Sequence, residues 1–204
     1  MNRTIQSLRI QQAVAALLVI FFVAGCVSVP PPLKRDKDYP ADWPDLSLVG
    51  PKCVEINGPY ANEGMVTVPG GAPQRITLAA ILPYRDMRLK YGQRENFEKA
   101  KAITLQVLPK KSSGILEFTI EKDGRKLSGR TDCYFGNGAL MYIAESGGGS
   151  LLLAFAASQT NVWLTKAVDG SLIAKIENSS AGMILIVPFA SSGSRWARFP
   201  PAKE

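Results

Sequence analysis

Residues 115–131 read ILEFTIEKDGRKLSGRT, and this stretch decides the fold class. Its Asp123-Gly124 pair favours a two-residue type I′ turn, which joins two antiparallel strands and fixes their register. In that register Glu117 faces Arg130, while the apolar residues face one another on the other side. Charged pairs on one face and apolar pairs on the other are typical of a half-buried strand pair. The sequence therefore predicts a β-hairpin here.

A second hairpin is predicted over residues 161–177, NVWLTKAVDGSLIAKIE. If Asp169-Gly170 forms the same two-residue turn, Trp163 faces Ile176 and Ala167 faces Leu172. The outward face mixes charged and apolar residues, so a bulge in this pair stays an alternative.

Short apolar runs continue on both sides of the second hairpin. They are ALMYIAE (139–145), LLLAFAA (151–157), MILIVPF (183–189) and SRWARF (194–199), separated by small polar residues at 147–150, 178–180 and 191–193. Such spacing predicts a mainly β fold, an antiparallel meander that forms a small barrel or sandwich. The run at 151–157 is also compatible with a buried helix. One or two short helices are expected, at 75–82 and 94–102.

The N-terminal segment, residues 1–25, is basic at its start and apolar over residues 13–24, which is the pattern of a signal peptide. Val23-Ala24-Gly25-Cys26 resembles the lipobox of bacterial lipoproteins. The resemblance implies cleavage before Cys26, diacylglycerol on its thiol and an acyl chain such as palmitate on its amine. Since two or more chains bind a bilayer stably, it implies a membrane anchor. The alternative is that Cys26 is a buried thiol at the end of an uncleaved helix.

The residue after the cysteine, Val27, resembles the outer-membrane sorting pattern of enterobacterial lipoproteins, which implies a periplasm-facing outer-membrane protein. Short pieces of the later chain are similar to small envelope lipoproteins of proteobacteria. These pieces are CVEINGPYANEG (53–64), KAVDGSL (166–172) and RWARFPP (195–201). This resemblance implies no particular activity.

Residues 26–47 are interpreted as the lipidated cysteine and a tether, because the proline-rich stretch after the cysteine cannot form a helix or a central strand. The alternative is that part of it, especially Tyr39 and Trp43, packs on the domain. Residues 48–204 are then expected to form a single β-rich domain, long enough to bury a core.

The two other cysteines, Cys53 and Cys133, are expected to form a disulfide, since an exported protein folds in an oxidising compartment. A metal site and a redox pair are weaker alternatives. The chain has no histidine and no Cys-x-x-Cys motif.

Composition argues against catalysis and against nucleic-acid binding. With no histidine, catalytic triads and His-ligated metals are excluded, and no carboxylate pair stands out by its spacing. We therefore expect no enzyme activity, no metal and no cofactor. The net charge is +7, but the basic residues do not form the stripe with interleaved aromatic residues that is typical of nucleic-acid-binding proteins.

Two functions remain open at this point. The first is a membrane-anchored envelope lipoprotein whose non-catalytic β-rich domain acts by protein or cell-wall contact. The second is a lipocalin-like carrier of an apolar ligand, suggested by the apolar strands and by Gly58-Pro59-Tyr60, which is faintly similar to the start of lipocalin barrels. Apolar and polar side chains alternate in the same way in a filled and in a hollow barrel, so the sequence does not distinguish the two functions. The oligomeric state is also left open.

Overall fold

The computed structural model describes most of the chain from residue 33 onward. The described residues are 33, 35–47, 50, 53–68, 70–83, 93–111, 113–136, 138–151, 154–184 and 187–203. They fall within one unit of the chain, Pro32–Glu204. The predicted signal peptide lies outside the described residues.

The described chain forms ten strands and two short α-helices, so the mainly β prediction is confirmed. The strands are β1 (Gly58–Ala61), β2 (Glu63–Val66), β3 (Gln74–Thr77), β4 (Ala102–Pro109), β5 (Ser113–Lys122), β6 (Arg125–Gly136), β7 (Ala139–Leu151), β8 (Ala154–Lys166), β9 (Leu172–Ile184) and β10 (Val187–Phe199); the helices are α1 (Leu78–Ile81) and α2 (Gln93–Glu98), and a 3-10 turn covers Val54–Ile56. All strands belong to one curled antiparallel sheet in the order β1-β4-β5-β6-β7-β8-β9-β10-β2-β3.

The first predicted hairpin is confirmed with its register. Glu117 pairs with Arg130 and Ile120 with Leu127. Asp123 and Gly124 both have positive φ angles, 51° and 68°, as a type I′ turn requires. The Arg130 guanidinium lies 3.0 Å from the Glu117 carboxylate on the polar face.

The second hairpin forms, but its predicted register is wrong by one residue. Trp163 pairs with Lys175 rather than with Ile176, and Lys166, not Ala167, pairs with Leu172. The connection is longer than a two-residue turn, because the Ala167 amide donates to the Ser171 carbonyl at 2.8 Å.

The small polar runs were expected to separate strands, and this expectation is wrong. Residues 147–150, 178–180 and 191–193 lie inside β7, β9 and β10. The last pairs before the chain reverses are Leu151 with Ala154 and Ile184 with Val187. The chain therefore reverses farther along the strands than the small residues, between the two members of each of these pairs. Glycine and serine continue these strands because neighbouring strands supply the backbone hydrogen bonds on at least one side.

The curl of the sheet is set by the link between β1 and β2. These strands lie towards opposite ends of the strand order, yet Asn62 alone separates them in sequence. The Ala61 amide donates to the carbonyl of Pro200, which directly follows β10, at 2.9 Å. The two ends of the sheet therefore meet at its base.

Asn62 is buried, with 1% of its surface exposed, and its side chain joins both helices to this link. Its Oδ1 accepts from the Ala79 amide at 2.9 Å. Its Nδ2 lies 2.9 Å from the carbonyl oxygens of Phe97 and Ala100 and 3.1 Å from that of Glu98. The amide thus satisfies backbone groups at the start of α1 and at the end of α2.

Side chains fill the inside of the curled sheet. Phe97 from α2 packs edge-on against Phe118 from β5, with 5.8 Å between the ring centroids. The Tyr142 hydroxyl donates to the Ile81 carbonyl at 3.0 Å. These four residues are 5% exposed or less.

A second cluster lies on the outside of β8, β9 and β10, where the chain before the sheet covers Trp196. Tyr39 packs edge-on against both Trp43 and Trp196, at 5.9 and 5.0 Å between centroids. For residues 35–47 the structure follows the alternative in which Tyr39 and Trp43 pack on the domain. Residues 26–32 of the predicted tether lie outside the described residues.

Charged groups hold this segment in place beside the aromatic cluster. The Asp36 carboxylate accepts from Trp196 Nε1 at 2.9 Å and lies 3.1 Å from Lys175 Nζ. Partial burial opposes ionisation of Asp36, but the hydrogen bonds from Trp196 and Lys175 outweigh it and hold its pKa below the ordinary 3.8. The charge of Asp36 therefore stabilises the docked segment.

Replacing Asn62 with Leu should destabilise the fold strongly, because it leaves buried backbone groups without partners. Each such group costs about 1–3 kcal/mol, so a loss of at least ~3 kcal/mol is expected in chemical denaturation. Asn178→Ala, on the exposed part of β9, is the matched control and should change stability by less than about 0.5 kcal/mol. Equal effects of the two substitutions would contradict the role assigned to Asn62.

Asp36→Asn should loosen the segment at residues 35–47 and lower stability at pH 7 by about 1 kcal/mol, since the site is partly exposed. Because the pKa of Asp36 is depressed in the folded protein, its contribution is present above pH 3.8 and is lost as the pH falls below that value. Tryptophan fluorescence is the readout, with Asp42→Asn as the control of equal charge change on the same segment. A difference between wild type and Asp36→Asn that persisted in strong acid would contradict this assignment.

Candidate interaction surface

The sequence singled out three cysteines, and the structure describes two of them. Cys26, the predicted lipidation site, lies outside the described residues. Cys53 and Cys133 are both buried in the same core cluster, and both carry free thiols. A bond between them is not formed in the structure and stays a prediction for the oxidised protein.

Neither described thiol is suited to nucleophilic chemistry. Burial, together with the nearby Glu55 carboxylate, raises the pKa of Cys53 from 9.0 to about 12. Burial, together with the nearby Asp132 carboxylate, raises the pKa of Cys133 to about 11. Because the thiolate is the reactive form, both side chains are unreactive at neutral pH.

Asp169, at the turn between β8 and β9, has a structural role. Its carboxylate accepts from the Ser171 amide and from the Ser171 hydroxyl, both at 2.9 Å. It also pairs with the Arg198 guanidinium at 2.5 Å. These contacts tie the turn to β10.

The most unusual surface is the far half of the four longest strands. We define the arm as residues 145–151, 154–160, 178–184 and 187–194 of β7 to β10. Beyond Met141, β7 has no described pairing with β6, and beyond Trp196, towards its start, β10 has no described contact with β2. The arm therefore continues past the rest of the sheet as four strands.

The arm is exposed on both faces and is nearly free of charge. Consecutive residues 145–150, 155–158 and 187–193 are all exposed, although neighbouring side chains on a strand point to opposite faces. Within the four arm segments Glu145 is the one charged residue. Charged residues make up 20% of the whole chain, so the arm differs sharply from an ordinary solvated surface.

Large apolar side chains are exposed at the far end of the arm. Phe155 is 50% exposed, Val187 64% and Phe189 40%. The strand registers place Phe155 on one face of the arm and Val187 and Phe189 on the other. Each face therefore exposes large apolar side chains, which is a feature of interaction sites.

The arm is locally ordered by a close glycine contact. Gly182 pairs with Phe189 across β9 and β10, and a side chain on Gly182 would collide with the Phe189 ring and with the Phe155 carbonyl. The aromatic ring thus covers the glycine, which is one way in which sheets stabilise glycine in a strand. Nearby, the hydroxyl oxygens of Ser180 and Ser191 are 2.8 Å apart.

Two clefts of the described surface are lined mainly by charged, hydroxyl-bearing or small side chains rather than by large apolar ones. One of about 910 Å³ lies between α2 and the β4–β6 strands and includes Lys99, Lys101, Glu121 and Lys126 in its lining. A trough of about 470 Å³ crosses the arm and is lined by alanine, serine and glutamine side chains. Neither lining is the apolar wall that a carrier of an apolar ligand needs.

Comparison with protein-family models, with curated proteins and with solved structures found no match. Among the residues that the structure describes, no group of three or more acidic or cysteine side chains is arranged to hold a metal ion. No helix in that part of the chain has the length and apolarity to cross a membrane.

The arm was not predicted as a site from the sequence, although the sequence contains its signal. Residues 146–165 and 178–194 contain no charged residue. The small residues in these runs favour turns, and the lack of charge gains significance only because both faces of the strands are exposed in the fold.

Both described thiols should resist a maleimide reagent in the native protein at pH 7 and react after unfolding, because burial keeps them protonated and out of contact with solvent. Ser158→Cys, on the exposed arm, is the positive control and should react at once.

Since the pKa values of both thiols are raised, the free energy of unfolding should fall as the pH rises above 9, by up to about 1.4 kcal/mol per pH unit and thiol.

Intact mass separates this outcome from the predicted disulfide. If the protein isolated from the cell envelope has a mass lower by two hydrogens and shows no thiol after unfolding, Cys53 and Cys133 are bonded. Rapid modification of the native thiols would instead contradict their burial.

Proposed function

We propose that this chain is a membrane-anchored lipoprotein of the bacterial cell envelope whose β-rich domain acts without catalysis, by protein contact through the arm. Lipid on Cys26 holds it at the outer membrane, facing the periplasm. The observation that carries the proposal is the arm itself, a sheet with one charged residue that is exposed on both faces and has aromatic residues near its end. The anchor is supported by the lipobox-like sequence Val23-Ala24-Gly25-Cys26.

Protein contact fits this surface better than contact with cell-wall polymer. Cell-wall polymers carry charged groups, which charged side chains would bind, and the arm has one charged residue, Glu145. The arm instead offers backbone strand edges, small side chains and exposed aromatic rings, which are features that protein interfaces use. Filling of the curled sheet by Phe97, Phe118 and Tyr142 gives no support to an apolar carrier.

The anchor is tested by metabolic labelling with an alkyne fatty acid. Cys26→Ser should abolish the label and leave the precursor unprocessed, because its hydroxyl replaces the thiol that takes the diacylglycerol. Cys133→Ala is the matched control and should keep the label, since its thiol is buried in the domain. Label that survives in Cys26→Ser would overturn the lipoprotein assignment.

The contact surface is tested with a photo-crosslinking amino acid in place of Phe155, in the full chain in cells. Crosslinks to protein are expected there and not at Lys126, an exposed position on β6 outside the arm. Crosslinks at Phe155 to cell-wall fragments alone, or equal protein crosslinks at both positions, would overturn the proposed role of the arm.

A further inference from the structure

We propose that the protein joined to the arm is a second copy of this chain, with the β7 edge of one copy pairing with the β10 edge of the next. This inference rests on the proposed function, since it uses the same surface. The geometry that supports it is the presence, on one sheet with a single charged residue, of two strand edges that no described strand pairs with along the arm.

The edge of β10 is open along the arm. The Trp196 amide donates to Thr67 Oγ1 at 2.9 Å, and its carbonyl accepts from the Thr67 amide at 2.8 Å, so the backbone of Trp196 faces away from β9. The β9–β10 register is unbroken from Val187 to Phe199, and backbone direction therefore alternates regularly along β10. Ser194 and Ser192 thus point their amides and carbonyls outward, and no described strand receives them.

Pro188 agrees with this alternation. Like Ser192, Pro188 is a residue whose backbone points away from β9. Its missing N–H therefore removes no hydrogen bond between β9 and β10. Proline inside sheets is confined to edge strands and strand ends for this reason. Pro188 is the second residue of β10, so its position agrees both with a strand end and with an outward edge on β10.

The edge of β7 is open by the same reasoning. The β8–β9 pairing is also unbroken, so the alternating direction of the backbone amides and carbonyls can be followed from β10 through β9 and β8 to β7. It applies to the part of β7 that follows the register shift between Ile143 and Glu145. It places the outward amides and carbonyls of β7 at Gly148 and Ser150. No described strand pairs with either residue.

The two edges fit each other in direction and in charge. Because β7 to β10 alternate in direction, β10 of one copy next to β7 of another continues the same antiparallel order. Neither edge has a charged residue between residues 146 and 151 or between 187 and 194, so no like charges oppose the contact. Pairing of two different edges is heterologous, so each copy in a chain of copies keeps one edge for the next unless the copies close into a ring.

Protection against pairing is confined to one end of each edge. Natural edge strands are shielded by lysine, proline, bulges or covering loops. Here Pro188 protects the end of β10 and the register shift after Ile143 lies at the base of β7. At Gly148 and Ser150 of β7, and from Phe189 to Ser194 of β10, no strand among the described residues pairs with the outward side of the backbone.

A lipid surface is the competing occupant, and the composition of the arm favours strand pairing. A sheet face inserted in hydrocarbon needs apolar side chains and a satisfied backbone along its whole length. The middle of the arm instead carries serine and glycine, at 146–150 and at 178–180.

The test uses proline to remove one outward N–H from each edge in the full-length lipoprotein. Ser150→Pro blocks the β7 edge and Ser192→Pro blocks the β10 edge, while Ser150→Ala and Ser192→Ala keep the N–H and serve as matched controls. Two differently tagged copies are expressed together, solubilised in mild detergent, co-purified and sized by native mass spectrometry.

The expected pattern is specific to heterologous pairing. Wild type and both alanine variants should co-purify as an oligomer, and two copies of the same proline variant should lose about tenfold or more of that association. A Ser150→Pro copy mixed with a Ser192→Pro copy should form a heterodimer, because one open β10 edge and one open β7 edge remain. If a proline variant melts lower than its alanine control, Ser150→Lys and Ser192→Lys replace it, since an edge lysine blocks pairing without breaking the strand.

The inference is overturned if the wild type is a monomer, if it binds vesicles of phosphatidylethanolamine and phosphatidylglycerol through the arm as a monomer, or if same-edge proline variants assemble like the wild type. A monomer whose Phe155 position crosslinks to a different protein would overturn self-pairing and still sustain the proposed function. Absence of any arm-specific protein crosslink would overturn both.

Discussion

The single-residue link at Asn62 is the constraint on which the rest of the fold depends. Strands β1 and β2 lie towards opposite ends of the strand order, and a flat sheet of ten strands would hold them far apart. Their separation by one residue is possible because the sheet curls until its ends meet. The buried side-chain amide of Asn62 forms hydrogen bonds with backbone groups of both helices, which would otherwise have no partners where the ends of the sheet meet.

Closure at the base explains why the two halves of the long strands differ. At the base, the inside of the curl is filled by aromatic side chains and α1 and α2, and the outside of β8 to β10 is covered by residues 35–47. Strands β6 and β2 cover only the base of β7 and β10, so four strands continue alone as the arm. Nothing described covers either face there, and the exposed residues are mostly small and uncharged, whereas an ordinary solvated surface carries many charges.

Local turn chemistry was readable where the backbone itself determined the structure. Asp123-Gly124 fixed both the turn and the register of its hairpin, because both residues adopt positive φ angles that few other pairs tolerate. Asp169-Gly170 is the same dipeptide but does not form a two-residue turn. Here the Asp169 side chain accepts a hydrogen bond from the Ser171 amide and pairs with Arg198 from β10. That distant arginine is invisible to a local pattern, and the register shifted by one residue.

Turn preferences and side-chain periodicity were sufficient to predict the antiparallel β class, the first hairpin with its register and the approximate places of the short helices. The sequence also supplies the lipobox-like segment on which the predicted address depends. Tertiary structure alone decided the curl, the docking of Tyr39 and Trp43, and the arm. The physical reason is that glycine, serine and alanine are compatible with turns and strands alike, and only contacts between distant segments decide whether such residues end a strand or extend it into solvent.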